Sequence, residues 1–166
     1  MPIDINDRAA VQTRLWDEIE KHQIGMLGVA GAEPRHFQPM TAFLDRADDS
    51  LWFFAWADTE LAEAAAGGAQ GVFVFQDGRQ FFASVAGPLR LDQDRTRINR
   101  YWNPVVAAWY PDGKDDPRLV LLRMDARDAE VWITEAGPAR FAWEIAKANA
   151  THGQPDLGGH TRLNLH

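Results

Sequence analysis

The stretch "GVFVFQDGRQFFASVAGPLRL", residues 71–91, decides the fold. Two runs of β-branched and aromatic residues flank Asp77-Gly78, a dipeptide that accepts the positive φ angles of a tight hairpin turn. The spacing predicts a strand over Val72 to Phe75, a turn, and a long strand over Gln80 to Leu91. No stretch long enough for a crossover helix separates them, so the pair is antiparallel.

The same grammar extends in both directions. Ile24 to Val29 is a short apolar strand, GAEPR (31–35) a turn, and His36 to Leu44 its hairpin partner. Leu51 to Trp56 lacks alternation, which predicts that both of its faces are covered. Leu119 to Met124 and Glu130 to Thr134 are the last strands. Helices are predicted over 4–22, capped by Asp4 or Asn6 with Val11, Leu15 and Ile19 on one face, and from Asp58 or Thr59 to Ala66, ended by Gly67-Gly68. Further helices are expected over 92–100, from Asn103-Pro104 with Asn as cap and Pro at the first position, and over 138–149. Residues 151–166 read as an extended tail. Six or seven hairpin-linked strands without regular strand–helix alternation exclude a doubly wound parallel sheet. The expected fold is mainly β with peripheral α-helices, an antiparallel barrel in one domain over 1–166: N-terminal helix 4–22, barrel 23–135, C-terminal helix and tail 136–166.

The chain of 166 residues is 46% hydrophobic, enough to bury a core and too apolar for disorder. Its formal net charge of -7 argues against nucleic acid and anionic membrane as partners. The longest apolar run, Leu51 to Ala57, is too short to span a bilayer. There is no cysteine, which excludes disulfides and thiolate chemistry and fits a reducing compartment. With no signal peptide legible in MPIDINDRAAVQ, a cytoplasmic location is expected. Seven tryptophans point to a thick core, an interface or a stacking site.

Signatures of phosphate-cradling loops and of nucleophile elbows are missing. The histidines do not form the helical His pairs of metalloenzymes, and His152, Asp156 and His160 read as a solvated tail, so no metal is expected. Asp48-Asp49 and Asp115-Asp116 are explained by turn propensity. No catalytic residue can be assigned. On the second strand, period-2 parity puts His36, Gln38 and Met40 on one face and Arg35 and Phe37 on the other. Pro39 requires an edge or a bulge there. Such a strand fits a ligand site and an edge that merely closes the barrel equally well.

These segments resemble one family. "LWDEIEKHQIGMLGV" (15–29), "RHFQPMT" (35–41), "LWFFAWADTELAE" (51–63), "FFASVAGPLRL" (81–91), "YWNPVVAAWYPDGKDDPRLVLLRM" (101–124), "AEVWIT" (129–134) and "PDLGGHTRLNL" (155–165) are similar to the general stress protein 26-like branch of the pyridoxamine 5'-phosphate oxidase-related proteins. The most specific segment is 101–124, where Trp-Asn-Pro, the aromatic pair and Asp-Asp-Pro follow in order.

The resemblance implies the FMN-binding split β-barrel, a homodimer, and FMN at the subunit interface. The implied cofactor-binding residues are Gln38, Pro39, Met40 and Thr41, the segment Phe54, Ala55, Trp56, Thr59, Glu60 and Leu61, Ser84 on the long strand, and Trp109 reaching over from the other subunit. A flavin-dependent oxidoreductase role follows, with NAD(P)H as an electron donor. The alternative is a non-enzymatic stress or ligand-binding protein with a degenerate flavin site.

The chain departs from the family pattern at three places. Gln38 stands where Arg precedes Pro-Met, Trp56 where a small hydroxyl residue is common, and Leu61 where Lys is frequent. Each lost charge-assisted phosphate contact costs about 1.5–3 kcal/mol, so FMN is expected to bind weakly, or FAD or another planar ligand to take its place. Pyridoxamine-phosphate oxidation itself would need an Arg cluster for a second phosphate, and none is legible.

Overall fold

A computed structural model describes residues 3–134 and 136–165. Residues 1, 2, 135 and 166 lie outside the described residues, among them the expected end of the barrel at 135 and the last histidine, His166. The elements in chain order are α1 (Arg8–His22), β1 (Ile24–Val29), β2 (Gln38–Thr41), β3 (Phe43–Asp45), β4 (Ser50–Trp56), α2 (Glu60–Ala66), β5 (Ala69–Asp77), β6 (Phe81–Leu91), α3 (Arg95–Tyr101), α4 (Pro104–Trp109), β7 (Leu119–Asp125), β8 (Asp128–Ile133), α5 (Pro138–Thr151) and β9 (Gly159–Asn164).

The hairpin that decides the fold is present. β5 and β6 pair antiparallel from Ala69↔Leu89 to Asp77↔Phe81 around the Asp77-Gly78 turn, where Gly78 takes φ 54°. From this pair the sheet runs β2-β1-β5-β6-β7-β4-β3, with β8 bridging β6 and β9. Among the described residues every strand pair is antiparallel.

Two local features turn this sheet into a split barrel. β6 pairs β8 through residues 81–86 and then β7 through 89–91, changing partner at Gly87-Pro88. A side chain at position 87 would collide with the Asp125 carbonyl, so only glycine lets the β7–β8 connection pass there. The second feature is Ala42. The two strands at the ends of the sheet, β2 and β3, are consecutive in the chain with Ala42 alone between them, and its N–H donates to the Gln23 carbonyl at 2.8 Å. The sheet therefore curls until its edges meet.

β4 is buried along nearly its whole length, as the missing alternation predicts. Leu51, Phe53 and Ala55 face the main core inside the barrel, with Val120, Leu122 and Met124 of β7. Trp52 and Phe54 face the other way, into a second cluster with Phe43, Ile98, Tyr101, Val106, Leu119 and Leu121 beneath α3 and α4. α4 is capped as predicted, Asn103 Oδ1 accepting from the Val106 amide at 2.9 Å, while α3 starts at Arg95 rather than at 92 because the Asp94 side chain caps it, accepting from the Thr96 and Arg97 amides.

Four further expectations are corrected. α1 begins at Arg8, because Asp7 and not Asp4 or Asn6 caps it, accepting from the Ala10 amide at 3.1 Å. The second strand covers only Gln38–Thr41. Its predicted start at His36 lies in the preceding loop, and its predicted end falls beyond the Ala42 bend in β3. The sheet has nine strands, not six or seven. The tail is not merely extended: Gly159–Asn164 forms β9, which pairs with β8 and buries Leu163, with Leu165 following into the core.

Candidate functional site

The 30–37 loop between β1 and β2 folds back over the sheet. Gly28 permits this, since any side chain there would strike the ring of Phe37. The loop encloses a cleft of about 390 Å³ lined by Glu33, Pro34, Arg35, His36, Phe37, Gln38 and Glu60. Gln38 and Glu60, expected at a ligand site, thus meet on one cavity wall. Arg35 and Phe37, assigned by strand parity to the opposite face, line it too. Parity fails there because the segment is loop and not strand. The cleft mixes charge: Arg35 Nε lies 3.1 Å from Glu33 Oε1, but both side chains are mostly exposed, so the pair holds Arg35 weakly.

The other expected residues divide between the two faces of the sheet. Directly opposed residues on neighbouring strands share a face. Gln38 aligns with Leu27, Phe73, Val85 and Ala129, the row that lines the barrel interior. Met40 packs against the same core. Pro39 aligns instead with Met26, Val74, Ser84 and Glu130 along the outer face. Thr41 shares the Pro39 face. Pro39 is exposed on an end strand of the sheet, as its missing N–H requires. Ser84 therefore lies on the outer face of the sheet and does not line the cleft.

At the other segment, Ala55 faces the core and Phe54 the second aromatic cluster. Trp56 is half-buried against Tyr110, edge to face at 4.7 Å, with the Arg118 guanidinium 5.1 Å from its ring centre. Thr59 caps α2: its hydroxyl accepts from the Ala62 amide at 3.2 Å and donates to the Trp56 carbonyl at 2.9 Å. Leu61, also expected at the site, lies in the first turn of α2. Its side chain is 1% exposed and points into the main core, so it offers nothing to a ligand except its backbone.

The aromatic pair at the end of α4 splits. Tyr110 packs on Phe54 and Trp56, and burial pushes its hydroxyl up to about 12, which keeps it neutral. Trp109 is 75% exposed. It has company outside the barrel: Met26, Phe82 and Trp132 are also exposed on the outer face of β1, β6 and β8. Phe82 and Trp132 sit opposite each other, and Trp132 stacks on His160 at 5.0 Å. Sequence reasoning missed this apolar face, although alternation of Phe81, Ala83 and Val85 with Phe82, Ser84 and Ala86 marks it. Among the described residues, no helix is long and apolar enough to cross a membrane.

The comparisons with known proteins agree with this architecture. The family model for pyridoxamine 5'-phosphate oxidase like proteins matches residues 10–156. General stress protein 26 of Bacillus subtilis (strain 168) is 24% identical over 122 residues, covering 71% of this chain and 85% of that protein. A solved structure from Jannaschia sp. CCS1, provisionally assigned as general stress protein 26, superposes with a TM-score of 0.76 at 34% identity, covering 94% of this chain and 99% of that one. The general stress FMN/FAD binding protein of Xanthomonas citri superposes with a TM-score of 0.71 at 38% identity, covering 78% of this chain and 92% of that one. The fold is the split barrel of these neighbours, and the chain belongs to the pyridoxamine 5'-phosphate oxidase like family, in its general stress protein 26 branch.

Proposed function

We propose that this protein binds a flavin mononucleotide as a homodimer and serves as a flavin-dependent oxidoreductase. The observation that carries the reading is the meeting of Arg35, His36 and Gln38 on one cleft, in a chain 38% identical to a general stress FMN/FAD binding protein. The donor set fits a phosphate monoester in part. Arg35 supplies a forked cation, and Gln38 and His36 add polar contacts beside it. Arg35 thereby restores, from the neighbouring loop, the charge that Gln38 lacks. Glu60 opposes it and Leu61 contributes no side chain, so binding is weaker than a two-cation site would give. When bound, the flavin supplies the hydride and electron transfer chemistry, while the protein orients it and excludes water.

The outer sheet face supports the dimer. Met26, Phe82 and Trp132 form an apolar strip that a second copy would cover, and Trp109 projects where it can reach another chain. Pro39, Thr41 and Ser84, which face outward, join Gln38 in one site only if that face is closed by a partner.

Titration of protein purified without cofactor, following flavin fluorescence, tests the reading. Saturable quenching by FMN, tighter than by riboflavin and weakened by Arg35→Ala, is the expected result. Equal binding of the two flavins would mean that the ring is held without its phosphate. No binding of either would reject the flavin reading in favour of a non-enzymatic ligand-binding role.

A further inference from the structure

Away from the cleft, α1 and the β5–β6 hairpin bring Glu18, His22 and Asp77 together, with one ligand-type atom from each lying within 4.8 Å of the others. We infer that these three side chains form a binding site for a borderline divalent cation of the Zn²⁺ class. Glu18 and His22 are four residues apart, on one face of α1, and Asp77 closes the set from the end of β5. His22 Nε2 stands 3.2 Å from Glu18 Oε2 and 3.5 Å from Asp77 Oδ1. Two ligands on Zn²⁺ with bonds of about 2.0–2.1 Å at a tetrahedral angle are separated by about 3.3 Å, close to both spacings from His22, and Glu18 and Asp77 lie within 4.8 Å of each other.

Two further observations distinguish this set from an ordinary surface charge cluster. The Glu18 side chain is only 7% exposed, and its Oε2 and the His22 Nε2 are both buried, facing each other at 3.2 Å without the geometry of a hydrogen bond and with no other hydrogen-bond partner among the described residues. Buried polar atoms of this kind are rare unless something satisfies them. The carboxylate is also oriented from behind: Arg14 Nε donates to Glu18 Oε1 at 2.6 Å, leaving Oε2 turned to the cluster. Arg14 itself lies over the buried Phe81 ring at 5.6 Å, an apolar floor beside the site. An outer partner that fixes a ligating carboxylate is the usual support of a metal site. One imidazole nitrogen and two carboxylate oxygens favour Zn²⁺, Co²⁺ or Ni²⁺ over Ca²⁺ and Mg²⁺, which take all-oxygen shells. Three protein ligands leave a fourth position open. A bound ion would pin α1 to the hairpin on which the barrel is built, independently of any flavin.

Calorimetric titration of the chelator-stripped full chain with Zn²⁺ tests this. One Zn²⁺ per chain is expected, with affinity reduced at least about tenfold by His22→Gln and by Asp77→Asn. Asp77→Asn is the safeguard against misfolding, because Asp77 ends β5 at the edge of the hairpin turn with its side chain 31% exposed. A Zn²⁺-dependent rise in melting temperature should appear in the parent and vanish in both variants, while the tail variant His160→Ala keeps it. Titration without saturable heat would overturn the proposal and leave the cluster as a His22 ion pair with its two carboxylates. So would stoichiometric binding that survives both substitutions or is lost in His160→Ala.

Discussion

The two outer faces of the barrel are built from the same alternating strands and finished differently. Over β4 and β7, α3 and α4 lay Ile98, Tyr101 and Val106 onto Trp52 and Phe54, and the cluster is sealed. Over β1, β6 and β8 the described residues form no further cluster of this kind, and Met26, Phe82 and Trp132 are each more than a third exposed. One face is a second core completed within the chain. The other carries Met26, Phe82 and Trp132 beside Thr41, Ser84 and Glu130, a mixed face that a second copy would cover in the proposed dimer. The residues expected to hold a cofactor follow the same division, Gln38 and Met40 inside and Pro39, Thr41 and Ser84 on the bare side.

Truncating one aromatic on each side is the sharpest way to break the comparison. Phe54→Ala should cost about 3–5 kcal/mol in urea unfolding, whereas Phe82→Ala should cost under about 1 kcal/mol of chain stability at a half-exposed site. Comparable losses would mean that the two faces are not different in kind.

The sealed face is also tied down electrostatically. Asp45 accepts from the Ala47 amide at 2.9 Å, is paired by Arg97, and lies 3.2 Å from Arg100. Burial pushes its carboxyl up, but the amide and the two guanidinium groups outweigh that and hold it below the ordinary value of 3.8. A carboxyl depressed in the folded state stabilises above its unfolded pKa and loses that contribution as pH falls through the folded one. Asp45→Asn should therefore cost about 2–3 kcal/mol at neutral pH. The gap between parent and variant should close as thermal unfolding is repeated below pH 4. A gap independent of pH would contradict the assignment.

On the cleft, Gln38→Arg should tighten FMN by about tenfold, roughly 1.4 kcal/mol, and leave riboflavin unchanged. An equal gain for both flavins would place the phosphate elsewhere. The smallest effect expected is at the α4 cap, where Asn103→Ala should cost about 1 kcal/mol and Asn103→Asp should restore most of it. If Asn103→Ala also moves Trp109, its fluorescence will report it.

Much of this was legible in the chain. Asp77-Gly78 announced the central hairpin, and unbroken Leu51 to Trp56 announced two covered faces. Local chemistry decides such features, and local chemistry is what a sequence displays. What was lost depended on tertiary context. β9 is polar except for Leu163, and only pairing with β8 makes it a strand. The resemblance implies Leu61 at the ligand, and with Thr59 as cap its side chain turns inward on the first turn of α2, which leaves its backbone to face a ligand. Arg35, which strand parity puts on the opposite face from Gln38, lines the cleft because 30–37 is loop, where that parity does not apply. The Glu18–His22–Asp77 cluster is not legible in the sequence, because Glu18 and His22 supply only two ligands at i, i+4 and Asp77 arrives from fifty-odd residues away through the fold.

The claim on which the rest turns is that the bare face is completed by a second copy. Light scattering of the purified protein at micromolar concentration tests it most directly. The account predicts twice the 18.7 kDa chain mass, falling to the single-chain mass in Trp132→Arg. A parent that remains at the single-chain mass would contradict it, and with it the role given to Trp109 and the outward-facing half of the site.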